Sequence, residues 1–251
     1  MKAIAGCFAI VLVAATALIK PASALVIGVS GFSNAPGMTD LLNANGHAAT
    51  YFGGSAPSAA QLIGFDALVL VRQPGNADVE NFVNAGGLLV TEWDASAWAL
   101  NTANLLNATD SGGGFIGTGT PVTFTPAGLA AGLANGLTNP YAAGPQTEFF
   151  RNLTGIGAGV DILATRPGNI PVTIGGASGL GHTLVVGYDW QDGSFDAVAN
   201  TDSEQLLLNA VQFQAGPTPV PEPGTLALLG AGLMSLGVAY RRRRGKEDGT
   251  G

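Results

Sequence analysis

The sequence predicts an α/β fold, a mostly parallel central sheet with helices on both faces, followed by a C-terminal transmembrane helix. Three observations carry that expectation. The apolar runs Leu25–Val29, Ala67–Val71 and Leu88–Thr91 are continuous rather than alternating, as in strands buried on both faces. Helical patterns separate them, and a helix between two strands is the usual parallel crossover. Far downstream, Thr225 to Tyr240 carries no charge and is closed by Arg241, Arg242, Arg243 and Arg244.

Each element has its own reason. After the strand Leu25–Val29, the Gly/Asn/Pro stretch Ser30–Gly37 reads as a loop, and Met38–Asn45 as a short amphipathic helix stopped by Gly46. Ala48–Phe52 is a second strand and Ser58–Ile63 a helical turn before the strand Ala67–Val71. Asp78–Ala85 places Val79, Phe82 and Val83 on one helical face, and Gly86-Gly87 ends it. Leu88–Thr91 is the next strand and Ala95–Leu106 the next helix. The glycine-rich Asp110–Thr120 reads as an exposed loop, Val122–Phe124 as a strand, Ala127–Gly136 as a short helix and Thr138–Gln146 as irregular. Val160–Ala164, Pro171–Ile174 and Thr183–Val186 are late strands, the last two joined as a hairpin through the loop Gly175–Gly181. Glu204–Gln212 closes the domain as a helix, with Leu207, Leu208 and Val211 inward. Residues 214–219 form a Gly/Pro/Thr linker.

The two ends point to export. Met1-Lys2 is cationic, Ala3–Ile19 apolar, and Ala22-Ser23-Ala24 an A-x-A cleavage site, so residues 1–24 read as a signal peptide for signal peptidase. At the other end, residues 220–251 hold Val220-Pro221-Glu222-Pro223-Gly224, the uncharged run 225–240 and the arginine cluster 241–244, with Gly245–Gly251 beyond. Sixteen helical residues span about 24 Å, short of a hydrocarbon core of roughly 30 Å, and snorkelling arginines make such a span tolerable. The cations hold the carboxyl end in the cytoplasm. The Pro-Glu-Pro signature, helix and arginine stop together resemble the PEP-CTERM sorting tails of Gram-negative bacteria. That resemblance implies recognition by an exosortase, a membrane-embedded protease that cuts near Pro221, Glu222 and Pro223. It also implies an inner-membrane intermediate and delivery to the cell surface or extracellular matrix.

Composition narrows the body. From Leu25 to Pro219 there are three arginines, no lysine and fourteen carboxylates, a net charge of −11. Such a surface repels phosphate backbones, which excludes nucleic acid as a partner. The only cysteine, Cys7, lies in the leader, so the exported chain has no disulfide and no thiolate metal site.

Three stretches, GFDALVLVRQPGNADVENFVNAGGLLVTEWD, VDILATRPGNIPVTIGG and GHTLVVGYDWQDG with EQLLLNAVQF, resemble the class I glutamine-amidotransferase-like superfamily. The resemblance covers most of residues 25–213 and implies a flavodoxin-like three-layer sandwich. Catalytic members carry a cysteine on a tight elbow after the strand that follows the Gly-Gly turn. Thr91-Glu92-Trp93-Asp94 stands there instead, so the family's thiol chemistry does not transfer.

Doubly wound sheets bind ligands over the carboxyl ends of their strands. In this reading those ends carry Ser30–Asn34, Arg72-Gln73, Glu92-Trp93-Asp94 and Tyr188-Asp189-Trp190. Arg72, Glu92, Trp93, Asp94, Asp189 and Trp190 are therefore the candidate ligand-binding set: the indoles suit sugar faces and the acids sugar hydroxyls. The same carboxylates could serve a glycosidic hydrolysis; the alternative is that Trp93 and Trp190 pack the core rim while the acids cap helices. His47 and His182 have no ligand partner at zinc spacing and no nucleophilic elbow, and read as loop histidines without chemistry. Gly112–Gly117 matches G-x-G-x-x-G without the strand before it or the helix after it, so it reads as a flexible loop. Asp189, Asp192 and Asp196 form an acidic turn that lacks EF-hand spacing. No cofactor, metal site or catalytic residue is assigned. The expected function is an exported, exosortase-processed, non-catalytic protein associated with exopolysaccharide in a biofilm. The alternative is a secreted carbohydrate-active hydrolase or sugar-binding protein using the edge carboxylates.

Overall fold

Strands apolar on both faces need two cores. The structure, a computed structural model, describes residues 24–32, 34–117, 119–142, 149–189 and 202–214. Its first half runs β1 (Val26–Gly31), α1 (Ala35–Ala44), β2 (Ala48–Tyr51), α2 (Ala59–Leu62), β3 (Ala67–Val71), α3 (Ala77–Asn84), β4 (Leu88–Glu92) and α4 (Ala95–Ala97). A π-helical turn, Trp98–Thr102, prolongs α4. The second half runs β5 (Thr109–Phe115), β6 (Pro121–Phe124), α5 (Pro126–Ala130), β7 (Tyr141–Ala142), β8 (Phe149–Thr154), β9 (Val160–Arg166), β10 (Ile170–Ser178), β11 (Gly181–Val186) and α6 (Asp202–Ala210).

Nine strands form one sheet in the order β2-β1-β3-β4-β11-β10-β9-β6-β7. The first five are parallel. The other four extend the sheet antiparallel. Side-chain parity then sorts the residues. Ala67, Val69 and Val71 of β3, with Leu88 and Val90 of β4, join Met38, Leu41 and Leu42 of α1 and Leu206, Leu207 and Ala210 of α6. Leu68, Leu70 and Leu89 point the other way, onto Leu62, Val79 and Val83 of α2 and α3 and onto Ala95 and Trp98. The result is an α/β fold with helices on both faces of a large sheet.

Local chemistry sets the helix starts. Asn76 accepts from the Val79 N–H at 3.0 Å, capping α3. Gln61 reaches back to accept from the Ser58 N–H at 2.9 Å. Pro36 sits in the first turn of α1, which begins at Ala35 rather than Met38.

Five local expectations are corrected. Asp110–Thr120 is not a loop: it contains most of β5, which pairs with β8 in a separate two-stranded sheet. Its glycines serve approach, since a Cβ on Gly113 would lie 2.3 Å from Phe150 O. The G-x-G-x-x-G match is therefore largely strand. β8 itself carried no expectation. Gly175–Ser178 is also strand, and only Gly179-Leu180 turns, because Gly175 leaves room for Phe213: a Cβ there would meet its ring at 2.5 Å. The helix expected over Ala95–Leu106 gives way to the π turn and stops at Thr102, and that over Ala127–Gly136 stops at Ala130. His182 lies in β11 rather than in a loop.

Among the described residues no helix is long and apolar enough to cross a membrane. The leader, the linker beyond Gln214, the tail with its expected transmembrane helix, Trp190, Asp192 and Asp196 lie outside the described residues.

Candidate functional site at the carboxyl edge of the sheet

The parallel strands end together, and the residue after two neighbouring ones has a left-handed backbone. Arg72, after β3, has φ 54°, and Trp93, after β4, has φ 42°. For side chains of this size that conformation costs on the order of 1–2 kcal/mol each and persists where the surroundings enforce it. At Trp93 they do. Its N–H donates to Val186 O at 3.0 Å, its carbonyl accepts from the Ser96 N–H at 3.0 Å, and α4 starts at once. This is a sharp strand-to-helix elbow bearing an indole.

The two backbones aim their side chains at one another. Arg72 Cζ lies 5.3 Å from the Trp93 ring centroid, within cation–π range. Arg72 Nε is 3.5 Å from Glu92 Oε2, and its Nη2 is 3.7 Å from Asp189 Oδ2. Glu92 and Asp189 are each 1 % exposed, so one guanidinium faces two carboxylates in a poorly solvated place. Beside them, Gln73 is oriented so that its amide nitrogen donates to Gly54 O (2.7 Å) and its oxygen accepts from Ser30 Oγ (2.6 Å). This ties the end of β3 to that of β1. Trp93 Nε1 is buried without an acceptor among the described residues.

A second arginine fastens the small sheet over this edge. Arg151, on β8, reaches Asp110 Oδ2 through Nε at 2.8 Å and Asp94 Oδ1 through Nη1 at 2.5 Å. Asp110 also takes Ser96 Oγ at 2.5 Å, so β5, β8 and α4 converge on one carboxylate. Phe149 donates its N–H to Asp189 Oδ1 at 3.0 Å, and its ring sits 5.5 Å from Trp93 and 5.9 Å from Phe115. The backbone of β8 runs along Gly187–Asp189, where Arg151 N–H donates to Gly187 O at 2.5 Å. Behind it the Tyr141 and Tyr188 hydroxyls hydrogen-bond to each other in the core. Burial pushes both phenols upward, so both stay protonated.

Five of the six candidate ligand-binding residues are thus assembled: Arg72, Glu92, Trp93, Asp94 and Asp189. Trp190 falls outside the described residues. Sequence reasoning missed Arg151, Asp110 and Phe149, which come from the strands it did not see. One signal was available: in a stretch with three cations and fourteen acids, each arginine has several carboxylates competing for it. Among the described residues no group of three or more His, Cys, Asp or Glu is arranged to hold a metal ion. His47 and His182 sit at the opposite edge, both with pKa lowered by burial.

Fold and edge together define the class: an α/β domain with a polar and aromatic cluster over the carboxyl ends of its parallel strands. Beyond the domain, residues 219–244 match the PEP-CTERM protein-sorting motif, which supports export to the cell surface or exterior and implies processing by exosortase. No curated protein matches the chain. Several solved structures share the fold. A cytoplasmic protein from Salmonella typhimurium superposes with TM-score 0.54 at 13 % identity, covering 75 % of this chain and 98 % of its own. A ThuA-like protein from Bacteroides uniformis gives 0.54 at 10 % identity, covering 77 % and 93 %. A β-galactosidase from Bacillus circulans gives 0.50 at 12 % identity, with 74 % of this chain matching 30 % of the enzyme. At these identities the likeness is one of fold.

Proposed function

We propose that this chain is an exported, exosortase-processed surface or matrix protein whose flavodoxin-like, amidotransferase-like domain is non-catalytic and associates with exopolysaccharide. The observation that carries the reading is the elbow after β4. The geometry that would present a nucleophile presents Trp93 instead, and Glu92, Asp94 and Asp189 each lie within 4 Å of an arginine nitrogen. Glycosidic hydrolysis needs one carboxyl that holds a proton, and an adjacent guanidinium works against that. An indole over a guanidinium, next to the more open Asp94, suits weak contact with sugar faces and hydroxyls.

Two measurements test this. The intact mass of the protein recovered from its host is expected to end near Pro223, and a full-length mass would make the tail a plain anchor. The processed protein is expected to co-sediment with the host's extracellular polysaccharide without releasing reducing ends. Turnover that disappears in Glu92→Gln and Asp189→Asn would establish the hydrolase in its place.

A further inference from the structure

The two ends of the domain leave from the same side. Leu25 and Gln214 both line one groove of ≈1020 Å³ at the amino ends of the parallel strands, with Phe65, Phe82, His182 and Phe213. Phe213 is 2 % exposed and packs on Gly175 and edge-on to His182, so the chain is pinned to this edge one residue before the described part stops. From Gln214 to the uncharged run at Thr225 there are eleven residues. Fully extended they reach about 38 Å. A domain of 190 residues is about 40 Å across. Turning the carboxyl edge toward the point where the tail enters lipid would need the linker stretched along the whole flank, so the tether favours the amino edge facing the membrane.

The surface agrees. Leu180 (82 % exposed) and Ile63 (79 %) are the most exposed large hydrophobic side chains among the described residues. Both flank this edge: Ile63 two residues before Phe65, and Leu180 in the β10–β11 turn, where its N–H donates to Asn84 O at 3.1 Å beside the groove's Ala85–Gly87 wall. Asp66 is the one carboxylate in the groove lining.

We propose that the amino edge of the sheet, with Ile63 and Leu180 at its rim, rests against the lipid bilayer while the tail is in place and holds the Arg72–Trp93 cluster outward. This rests on residues 220–251 being a membrane-held tail. The partner is the bilayer surface itself, touched by two aliphatic tips and held by the short linker.

Cys7 precedes Leu25, so the chain from Leu25 to Gly251 has no cysteine and accepts single reporters. Ile63→Cys, Leu180→Cys, Tyr51→Cys and Phe115→Cys, each carrying one fluorophore, are reconstituted into phosphatidylethanolamine–phosphatidylglycerol vesicles containing a headgroup nitroxide lipid. Reporters at 63 and 180 are expected to be quenched several-fold more than those at 51 and 115. Equal quenching, or the reverse order, overturns the orientation and leaves the tail reading standing. Energy transfer between reporters at 63 or 180 that rises with protein density, without lipid quenching, assigns the edge to a second copy and also overturns it. A chain that does not float with the vesicles removes the tail reading and the orientation with it.

Discussion

The two edges of the parallel sheet are built from different chemistry. At the carboxyl edge, Arg72 and Arg151 share four carboxylates, two non-glycine residues hold left-handed backbones, and a small second sheet is bolted across the strand ends. At the amino edge the described side chains include both histidines, Asp66, and the exposed Ile63 and Leu180 around an open groove. Neither arginine belongs to the two apolar cores that lie between the edges, so the ion pairs add a separate contribution to stability. Backbone strain of this kind persists only where the surroundings hold it, and here those surroundings are ionic and aromatic.

Removing Arg72 should break that comparison most severely. Arg72→Ala leaves Glu92 and Asp189 buried without that cation, and losing one partner of a buried pair typically costs about 3–5 kcal/mol. Urea titration would show it, and a loss below about 1 kcal/mol would mean that the carboxylates are supported chiefly by other contacts. Arg151→Ala should cost less, about 2–3 kcal/mol, since Asp94 is partly solvated and Asp110 keeps Ser96. Its signature is local: faster amide exchange in β5 and β8 than in β1 and β3.

The amino edge should answer to pH. Burial lowers the His182 pKa below 6.5, so the folded state favours the neutral ring while the unfolded chain takes up a proton. The unfolded state therefore binds more protons below about pH 6.5, and stability rises with pH through that window and levels off above it. Melting temperature should fall on acidification from pH 7, and the His182→Gln variant should show a shallower fall over the same range. Smallest of all, Ile63→Ser with Leu180→Ser should leave stability within about 0.5 kcal/mol, as for exposed positions that fill no core. A larger loss would show that these tips are held by packing rather than left for a partner.

How much was legible follows from how locally each feature is written. The strands β1, β3, β4 and β11 were readable because a run such as Ala67–Val71 is apolar at every position, which only a strand between two layers requires. Most of the candidate cluster was readable for the same reason, since knowing where β3 and β4 end places Arg72 and Trp93. The strands β5 and β8 were not. Thr109–Phe115 has three consecutive glycines, which count as loop until Phe150 is seen lying against Gly113. β8 alternates weakly, and its register is set by partners distant in sequence, the β5 ladder on one side and Gly187–Asp189 on the other.

The sequence by itself determined the layered α/β plan, the acidic and thiol-free character of the body, and the sorting motif at residues 219–244, because hydrophobic period, charge and a short tail are properties of consecutive residues. Tertiary structure alone decided that Arg151 and Asp110 meet, forty-one positions apart, that Trp93 occupies an elbow, and that both ends of the domain emerge beside one groove. Those are contacts between segments that carry no record of one another in the chain, and they become definite only when burial of the two cores brings the strand ends into line.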